Sequence, residues 1–312
     1  MTKTVTVLAM HAEMLSLFPA TPETWTLIDT SQGVEKAIAE HGDQVEILLS
    51  ASIEKLDKQA LDQFPKLKMI ASISAGFSNV DLEECRRRGI EVTNSPGLNA
   101  ADVADIAASM MTSLLLKFPK HQDFILSDQW VTPSGPLRHS LKMAVVGIVG
   151  LGSIGQEVVK RLQPFGVDLR WWGPRDKPEV SLPYVSCINE LAQQCQGLVI
   201  CCRPDDSTHH LINQEILDLL GSEGIVVNVA RGSVVDEVAL IESLKSNAIA
   251  GAGLDVFDPE PTGSERWQGV PNVILTPHQG GTTYETLFAQ AELTQQNIQQ
   301  FVAGEPVLTS VL

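Results

Sequence analysis

The sequence predicts an α/β fold of two doubly wound, parallel-sheet (Rossmann-like) domains, and three observations predict it. The chain has 312 residues, more than a single core uses efficiently and enough for two α/β domains. Short β-branched runs alternate with helical periods along most of its length, the mark of βα units that join parallel strands through crossover helices. In the second half a glycine-rich turn directly follows a buried strand run and opens a helix, as in a doubly wound sheet.

The first series has strand runs at 5–10, 45–49, 69–73 and 91–93, with helices over 33–41 and 81–88. Residues 100–118 read as one long helix, because Val103, Ile106, Ala107, Met110, Met111 and Leu114 recur at helical spacing. Its length suits a connector between domains. The second series places strands at 144–149, 169–172, 197–202, 225–229, 251–255 and 273–275. Residues 283–302 carry Leu287, Leu293, Ile298 and Phe301 at helical spacing, stop near Gly304, and are expected to pack back against the first domain. The expected division is a discontinuous domain of residues 1–100 and 283–312 and a second domain of residues 101–282, with a cleft between them.

Charge narrows the partners. Twenty-two Lys and Arg stand against 38 Asp and Glu, a net charge of -16, which argues against nucleic acid or an anionic membrane. A small anionic substrate would need a local cationic trap. Five cysteines include no C-x-x-C pair, and Cys201 and Cys202 sit side by side on an expected buried strand, so they read as reduced core thiols of a cytoplasmic protein. The start of the chain lacks a signal-peptide pattern, and the apolar run at 143–150 is far shorter than the roughly 20 residues that cross a bilayer. No metal-ligand pattern is read.

The glycine turn carries the first chemistry. Val145-Val146-Gly147-Ile148-Val149 runs straight into Gly150-Leu151-Gly152-Ser153-Ile154-Gly155, a G-x-G-x-x-G in the strand-to-helix context it requires. Gly150 permits the tight turn, Gly152 lets backbone approach a pyrophosphate, and Gly155 lets helix and strand pack closely. Ser153 and Ile154 lie at the helix N-terminus, whose N–H groups and dipole favour the anion. A nicotinamide dinucleotide is the implied cofactor. An NAD-binding chain places an acidic residue about 20 positions on, at the ribose 2′-hydroxyl; here the strand ends in Trp171-Trp172 and runs into Gly173-Pro174-Arg175. With that carboxylate missing and a guanidinium close by, NADP(H) is expected to be preferred and NAD(H) to be possible, with Arg175 gripping the 2′-phosphate. Arg170 or Lys177 would share the task, and the bland alternative for Arg175 is a solvated surface charge.

Polar residues then follow successive strand runs, where an open α/β sheet places its ligands. Arg231 follows Asn228-Val229-Ala230, Glu260 follows the run ending at Phe257, and His278 follows Thr276-Pro277. Reduction of a 2-oxo acid needs a cation to hold the carboxylate and polarise the ketone, a hydride, and a proton donor for the developing alkoxide. Arg231 fits the first role and His278 the last, with Glu260 fixing the imidazole and favouring its charged form. Val229, Ala230, Gly173 and Cys202 are expected beside the cofactor, as is Arg203. Asp255 either hydrogen-bonds the nicotinamide carboxamide or caps a turn.

These residues resemble the D-isomer-specific 2-hydroxyacid dehydrogenase family. The resemblance rests on residues 72–81 (Ser72 through Ser78 to Asp81), Val103-Ala104-Asp105-Ile106-Ala107, the glycine turn, Val229-Ala230-Arg231-Gly232, Gly253-Leu254-Asp255-Val256-Phe257 and Thr276-Pro277-His278, in order and spacing. It implies that Arg231, Glu260 and His278 are catalytic, that backbone N–H groups of Ser74, Ala75 and Gly76 meet the substrate carboxylate, and that the protein is a homodimer. The turn at Gly173-Pro174-Arg175 and the C-terminal stretch look most like NADPH-dependent hydroxyphenylpyruvate and glyoxylate/hydroxypyruvate reductases. Ser153 stands where relatives often have arginine. The chain stops at Leu312, without the regulatory extension of many phosphoglycerate dehydrogenases. Two rivals remain: a dinucleotide-sensing corepressor of the same fold, which would carry partner-binding tails, and an NAD-dependent oxidation of formate or phosphite, against which the missing acidic residue weighs.

Overall fold

The computed structural model describes residues 4–18, 22–51, 54–77, 79–131 and 135–312; Ser78, within the first resemblance motif, lies outside them. The chain divides into two compact units, Met1–Asn99 with Thr282–Leu312, and Ala100–Gly281.

The first unit contains strands β1 (Val5–Ala9) and β2 (Trp25–Leu27), helix α1 (Val34–His41), β3 (Ile47–Ser50), α2 (Lys58–Leu61), β4 (Met69–Ser72), α3 (Leu82–Arg88) and β5 (Glu91–Thr93). All strands pair in parallel, in the order β2-β1-β3-β4-β5, so the chain reverses its direction of travel across the sheet between β1 and β3. Side chains alternate between faces. Val7, Ile47, Leu49 and Met69 pack on one face with Ala291 and Ile298 of the last helix, and Leu8, Leu48, Ile70 and Val92 pack on the other with Leu61 and Cys85. Continuous apolar runs are what a sheet covered on both faces requires. Asp57 and Asp81 cap α2 and α3 by accepting from the amides of Ala60 and Glu84 at 3.1 and 2.9 Å.

The second unit opens with α4 (Ala100–Leu115) and α5 (Phe118–Leu126). It continues through β6 (Val145–Val149), α6 (Ser153–Leu162), β7 (Asp168–Trp172), α7 (Ile188–Gln194), β8 (Gly197–Ile200), α8 (Gln214–Leu220), β9 (Ile225–Asn228), α9 (Glu237–Lys245), β10 (Gly251–Leu254), α10 (Ser264–Trp267) and β11 (Val273–Leu275). The parallel strand order is β11-β10-β9-β8-β6-β7, with the reversal between β6 and β8. Met110, Met111 and Leu114 of α4 cover one face, against Val146, Ile148 and Val227. The last helix, α11 (Tyr284–Ala303), returns to the first unit; Thr283 caps its start and Gly304, left-handed at φ 77°, ends it.

Four expectations need correction. The helix expected over 100–118 stops at Leu115; Lys117 is left-handed at φ 58°, and a separate helix, α5, follows. The edge strand β2 was not expected, because its three residues are too few to show a period. Strand β8 ends at Ile200, so Cys201 and Cys202 lie beyond it and are only half-buried. Cys187 is exposed rather than in the core, although all five cysteines are free thiols. No helix of the described residues is long and apolar enough to cross a membrane.

Candidate active site

The glycine turn leaves the carboxyl end of β6 at the sheet reversal. Gly150 has φ +95°, and a Cβ there would lie 2.6 Å from Cα of Cys202; one on Gly155 would lie 2.2 Å from the carbonyl oxygen of Gly150. Only glycine satisfies both demands. At Gly152, by contrast, a Cβ would meet nothing within 4 Å, so backbone there faces open space. Ser153, exposed, and Ile154 begin α6, whose first amides have no partner within the helix. These residues fit a dinucleotide pyrophosphate: an open approach to backbone, free amides and a helix dipole. Cys202 backs the turn; burial pushes its thiol up to about 11 and raises that of Cys201, which donates to the Gly150 oxygen at 3.1 Å, further still. Neither is a thiolate at neutral pH.

After β7, Gly173 is buried and its oxygen accepts from the Tyr184 hydroxyl at 3.1 Å. Arg175 is exposed and makes no hydrogen bond or ion pair among the described residues. The ammonium of Lys177 donates to the Leu151 oxygen at 2.6 Å, which places that cation on the glycine turn. Arg170 is not at this end. It sits mid-strand opposite Gly147 and is held by Gln194 and by Asp168 at 3.1 Å, which corrects the expectation that it shares the phosphate.

Arg231, Glu260 and His278 arise from three neighbouring strands, β9, β10 and β11. Asn228, the last residue of β9, folds the first loop: its Oδ1 accepts from the Ala230 amide at 3.0 Å and its Nδ2 donates to the Arg231 oxygen at 2.9 Å. Val229 and Ala230 are buried beneath it, and Arg231 is half-buried. A Cβ on Gly232 would stand 2.0 Å from the carbonyl carbon of Phe257, so this loop lies with its backbone against that of the β10 loop. There the Phe257 amide donates to Oε1 of Glu260 at 2.9 Å, and Oε2 of Glu260 is 2.7 Å from Nδ1 of His278.

Asp255 is committed to the turn that carries His278. Its Oδ1 accepts from the Thr276 hydroxyl at 2.6 Å and the Gln279 amide at 2.9 Å, and its Oδ2 from the Gly280 amide at 2.9 Å. His278 itself is left-handed at φ 54°, with its amide donating to the Asp255 oxygen at 2.8 Å. Of the two roles weighed for Asp255, the turn cap is the one these bonds describe.

Sequence reading missed a second tie on the Glu260 loop. Glu237, at the start of α9 and 3% exposed, accepts from the Asp258 amide at 2.7 Å, and its other oxygen is 3.0 Å from Nη1 of Arg266. The same Arg266 nitrogen donates to the Asp258 carbonyl at 2.6 Å. Both ends of one peptide segment are thus clamped. A buried glutamate after a helix-capping aspartate, Asp236-Glu237, is the sequence signal, but its partners lie about twenty and thirty residues on.

In the first unit, Ser74, Ala75 and Gly76 follow β4 and are half-buried. The Ser74 hydroxyl donates to the Ala51 oxygen at 2.9 Å, and Asn94 donates to the Ala75 oxygen at 2.7 Å. The amides of Ser74 and Ala75 donate to no acceptor among the described residues.

A family profile described as D-isomer specific 2-hydroxyacid dehydrogenase, NAD binding domain, matches residues 108–280, more than half of the chain. Over 295 residues the chain is 32% identical to a glyoxylate/hydroxypyruvate reductase A of Arabidopsis thaliana, covering 95% of this chain and 91% of that protein. It is 34% identical over 275 residues to a hydroxyphenylpyruvate reductase of Plectranthus scutellarioides, covering 88% of each. Among solved structures, an NADPH-dependent glyoxylate/hydroxypyruvate reductase of Sinorhizobium meliloti, in complex with NADP and malonate, superposes with a TM-score of 0.84 at 30% identity, covering 99% of this chain and 97% of that one.

Proposed function

Since the chain belongs to the D-isomer specific 2-hydroxyacid dehydrogenase family and is therefore an NAD(P)-dependent oxidoreductase, we propose that it reduces a small 2-oxo acid with NADPH to the D-2-hydroxy acid. The substrate is of the glyoxylate, hydroxypyruvate or phenylpyruvate type. The observation that carries the reading is the Glu260–His278 pair, 2.7 Å apart, on the same sheet edge as Arg231 and the Gly150 turn. The second unit is the dinucleotide-binding domain and the first the substrate-binding domain.

When bound, the reduced nicotinamide supplies the hydride. Gly150, Gly152, Gly155 and the first amides of α6 hold the pyrophosphate, and Val229, Ala230, Gly173 and Cys202 line the nucleotide's path. Arg175 meets the ribose 2′-phosphate, and Lys177, already on the turn, adds a second positive charge. Asp255 acts through the turn it caps. The Arg231 guanidinium holds the substrate carboxylate and polarises the ketone, as a planar fork suits a carboxylate. Glu260 takes Nδ1–H of His278, which leaves Nε2–H as the proton donated to the developing alkoxide. Ser74, Ala75 and Gly76 present amides to the substrate carboxylate.

The protein works as a homodimer in the cytoplasm. Exposed apolar side chains support the dimer: Phe118, Ile125, Leu126, Trp130, Val131 and Leu137 crowd one stretch of the second unit, and Leu137 is 90% exposed. Light scattering on the purified protein tests it. The activity itself is tested by steady-state kinetics on glyoxylate, hydroxypyruvate and phenylpyruvate with NADPH and with NADH. Faster turnover with NADPH on at least one acid is expected; tight nucleotide binding without turnover on any would favour a dinucleotide sensor instead.

A further inference from the structure

The first unit holds a second histidine–carboxylate pair, which the reading above leaves without a role. His11 follows β1, and its Nε2 is 2.8 Å from Oε1 of Glu54. The other Glu54 oxygen accepts from the hydroxyl of Ser50, the last residue of β3, at 2.8 Å, and Asn79 donates to the Glu54 backbone oxygen at 2.8 Å. The Glu54 side chain is 13% exposed and that of His11 42%, while Nε2 of His11 is itself shut off from solvent. A carboxylate largely withdrawn from water, with Oε2 hydrogen-bonded to Ser50 and Oε1 paired with Nε2 by distance but without hydrogen-bond alignment, therefore sits against one edge of a partly exposed imidazole.

Its position gives the pair meaning. The strand order of this unit reverses between β1 and β3, and open α/β sheets bind ligands outside the carboxyl ends of their strands at such a reversal. His11 and Ser50 stand at those two ends. The Ser74 loop leaves β4, the next strand along, and is tied to the β3 end: the Ile73 amide donates to the Ser50 oxygen and the Ser74 hydroxyl to the Ala51 oxygen, each at 2.9 Å. From β1 to β4 is two strand spacings, about 10 Å between backbones. An imidazole side chain, one hydrogen bond and a three- or four-carbon acid laid end to end are of that order of length.

We propose that His11, held by Glu54, is a specificity residue that hydrogen-bonds the C3 substituent of the 2-oxo acid whose carboxylate meets the amides of Ser74, Ala75 and Gly76. The favoured substrates are then 2-oxo acids with a C3 hydroxyl, of the hydroxypyruvate type, over aryl ones. This inference rests on the proposed reductase reading. The chemistry of the pair selects the class. An imidazole paired with a carboxylate offers no uncompensated positive charge to a second carboxylate or a phosphate, but its other ring nitrogen suits a neutral hydroxyl, which can either donate or accept. An aryl group placed there would strip water from that nitrogen without replacing the bond, a cost that falls on the wrong substrate alone.

The test is the pattern of kcat/KM across glyoxylate, which has no C3, hydroxypyruvate and phenylpyruvate, with NADPH and the full-length protein. His11→Leu should lower the hydroxypyruvate-to-glyoxylate ratio about tenfold, the worth of one hydrogen bond, chiefly through KM of hydroxypyruvate. The phenylpyruvate-to-glyoxylate ratio should not fall. His11→Asn, which keeps a donor, should recover part of the loss, and Glu54→Gln should give a smaller change in the same direction. If His11→Leu does not fold, the Asn and Gln variants carry the same comparison. Unaltered ratios, or a uniform fall on all three acids, would overturn the assignment and leave the reductase reading standing; wild-type protein that turns over none of the acids would sink the reductase reading instead.

Discussion

The carboxylate of Glu260 is fixed at both oxygens, by the Phe257 amide at 2.9 Å and by Nδ1 of His278 at 2.7 Å. It therefore orients the ring and, in the proposed reduction, places a counter-charge beside it. Glu260→Gln retains size and the Phe257 contact but removes the counter-charge. A kcat lower by roughly 10- to 100-fold at an almost unchanged melting temperature is expected, and His278→Gln should cost about 10² to 10⁴. Parental kcat in Glu260→Gln would refute the role given to the pair.

Glu237 and Arg266 hold the Asp258 peptide from two sides. Burial raises the Glu237 carboxyl above its usual range, opposed by the Asp258 amide and by Arg266. Glu237→Gln loses the ionic part of the clamp, so the Glu260 loop should drift. A several-fold fall in kcat with little change in the KM for NADPH is expected from initial-rate kinetics at an almost unchanged melting temperature, whereas a fall in kcat that tracks a lowered melting temperature would indicate general destabilisation.

Gly232 tolerates no side chain, since a Cβ would stand 2.0 Å from the Phe257 carbonyl carbon, which is backbone and has no rotamer to yield. Gly232→Ala must push the Arg231 and Glu260 loops apart. Destabilisation of about 1–3 kcal/mol is expected from such overpacking, with kcat/KM falling by more than thermal melts alone would account for.

Arg175 is exposed and unengaged among the described residues, free to take a phosphate. Arg175→Ala should raise the KM for NADPH about 10- to 100-fold, the loss of a charge-assisted hydrogen bond, and leave the KM for NADH nearly unchanged. Equal shifts for both nucleotides would return Arg175 to the role of a solvated charge.

Arg87 and Arg88 bond the Glu84 side chain and hold its carboxyl at about 2, well below its ordinary 4.5. A carboxyl whose folded value is depressed stabilises the fold fully above its unfolded value and loses that contribution as pH falls through the folded one. The window here runs from about 4.5 down to about 2. Denaturant melts across it should show Glu84→Gln less stable than wild type at neutral pH and converging on it as acid is added; a constant offset would show that the arginines do not act through charge.

Strands buried on both faces were legible because they are continuous apolar runs, and the glycine turn because its spacing answers to a phosphate. What escaped reading depends on distance in the chain. Trp25–Leu27 is an edge strand of three residues, too short for any period. Cys201 and Cys202 extend the apolar run of β8 by composition, yet the ladder stops at Ile200 because the chain must turn there past Gly150. Arg231, Glu260 and His278 could be named from strand-end position. The fit of Gly232 against Phe257, and of Glu237 against Asp258, could not, because each joins residues more than twenty positions apart through packing alone.

Because β9, β10 and β11 are adjacent and parallel, with Asn228 opposite Leu254 and Leu254 opposite Leu275, the loops that carry Arg231, Glu260 and His278 depart from one edge at a pitch set by the amide ladder, about 4.8 Å per strand. The main chain acts as a ruler. Mutational drift among the side chains beneath can loosen the core without altering that pitch, so chemistry on this scaffold should outlast considerable change in its interior, while a one-residue slip of any of these strands would abolish it at once.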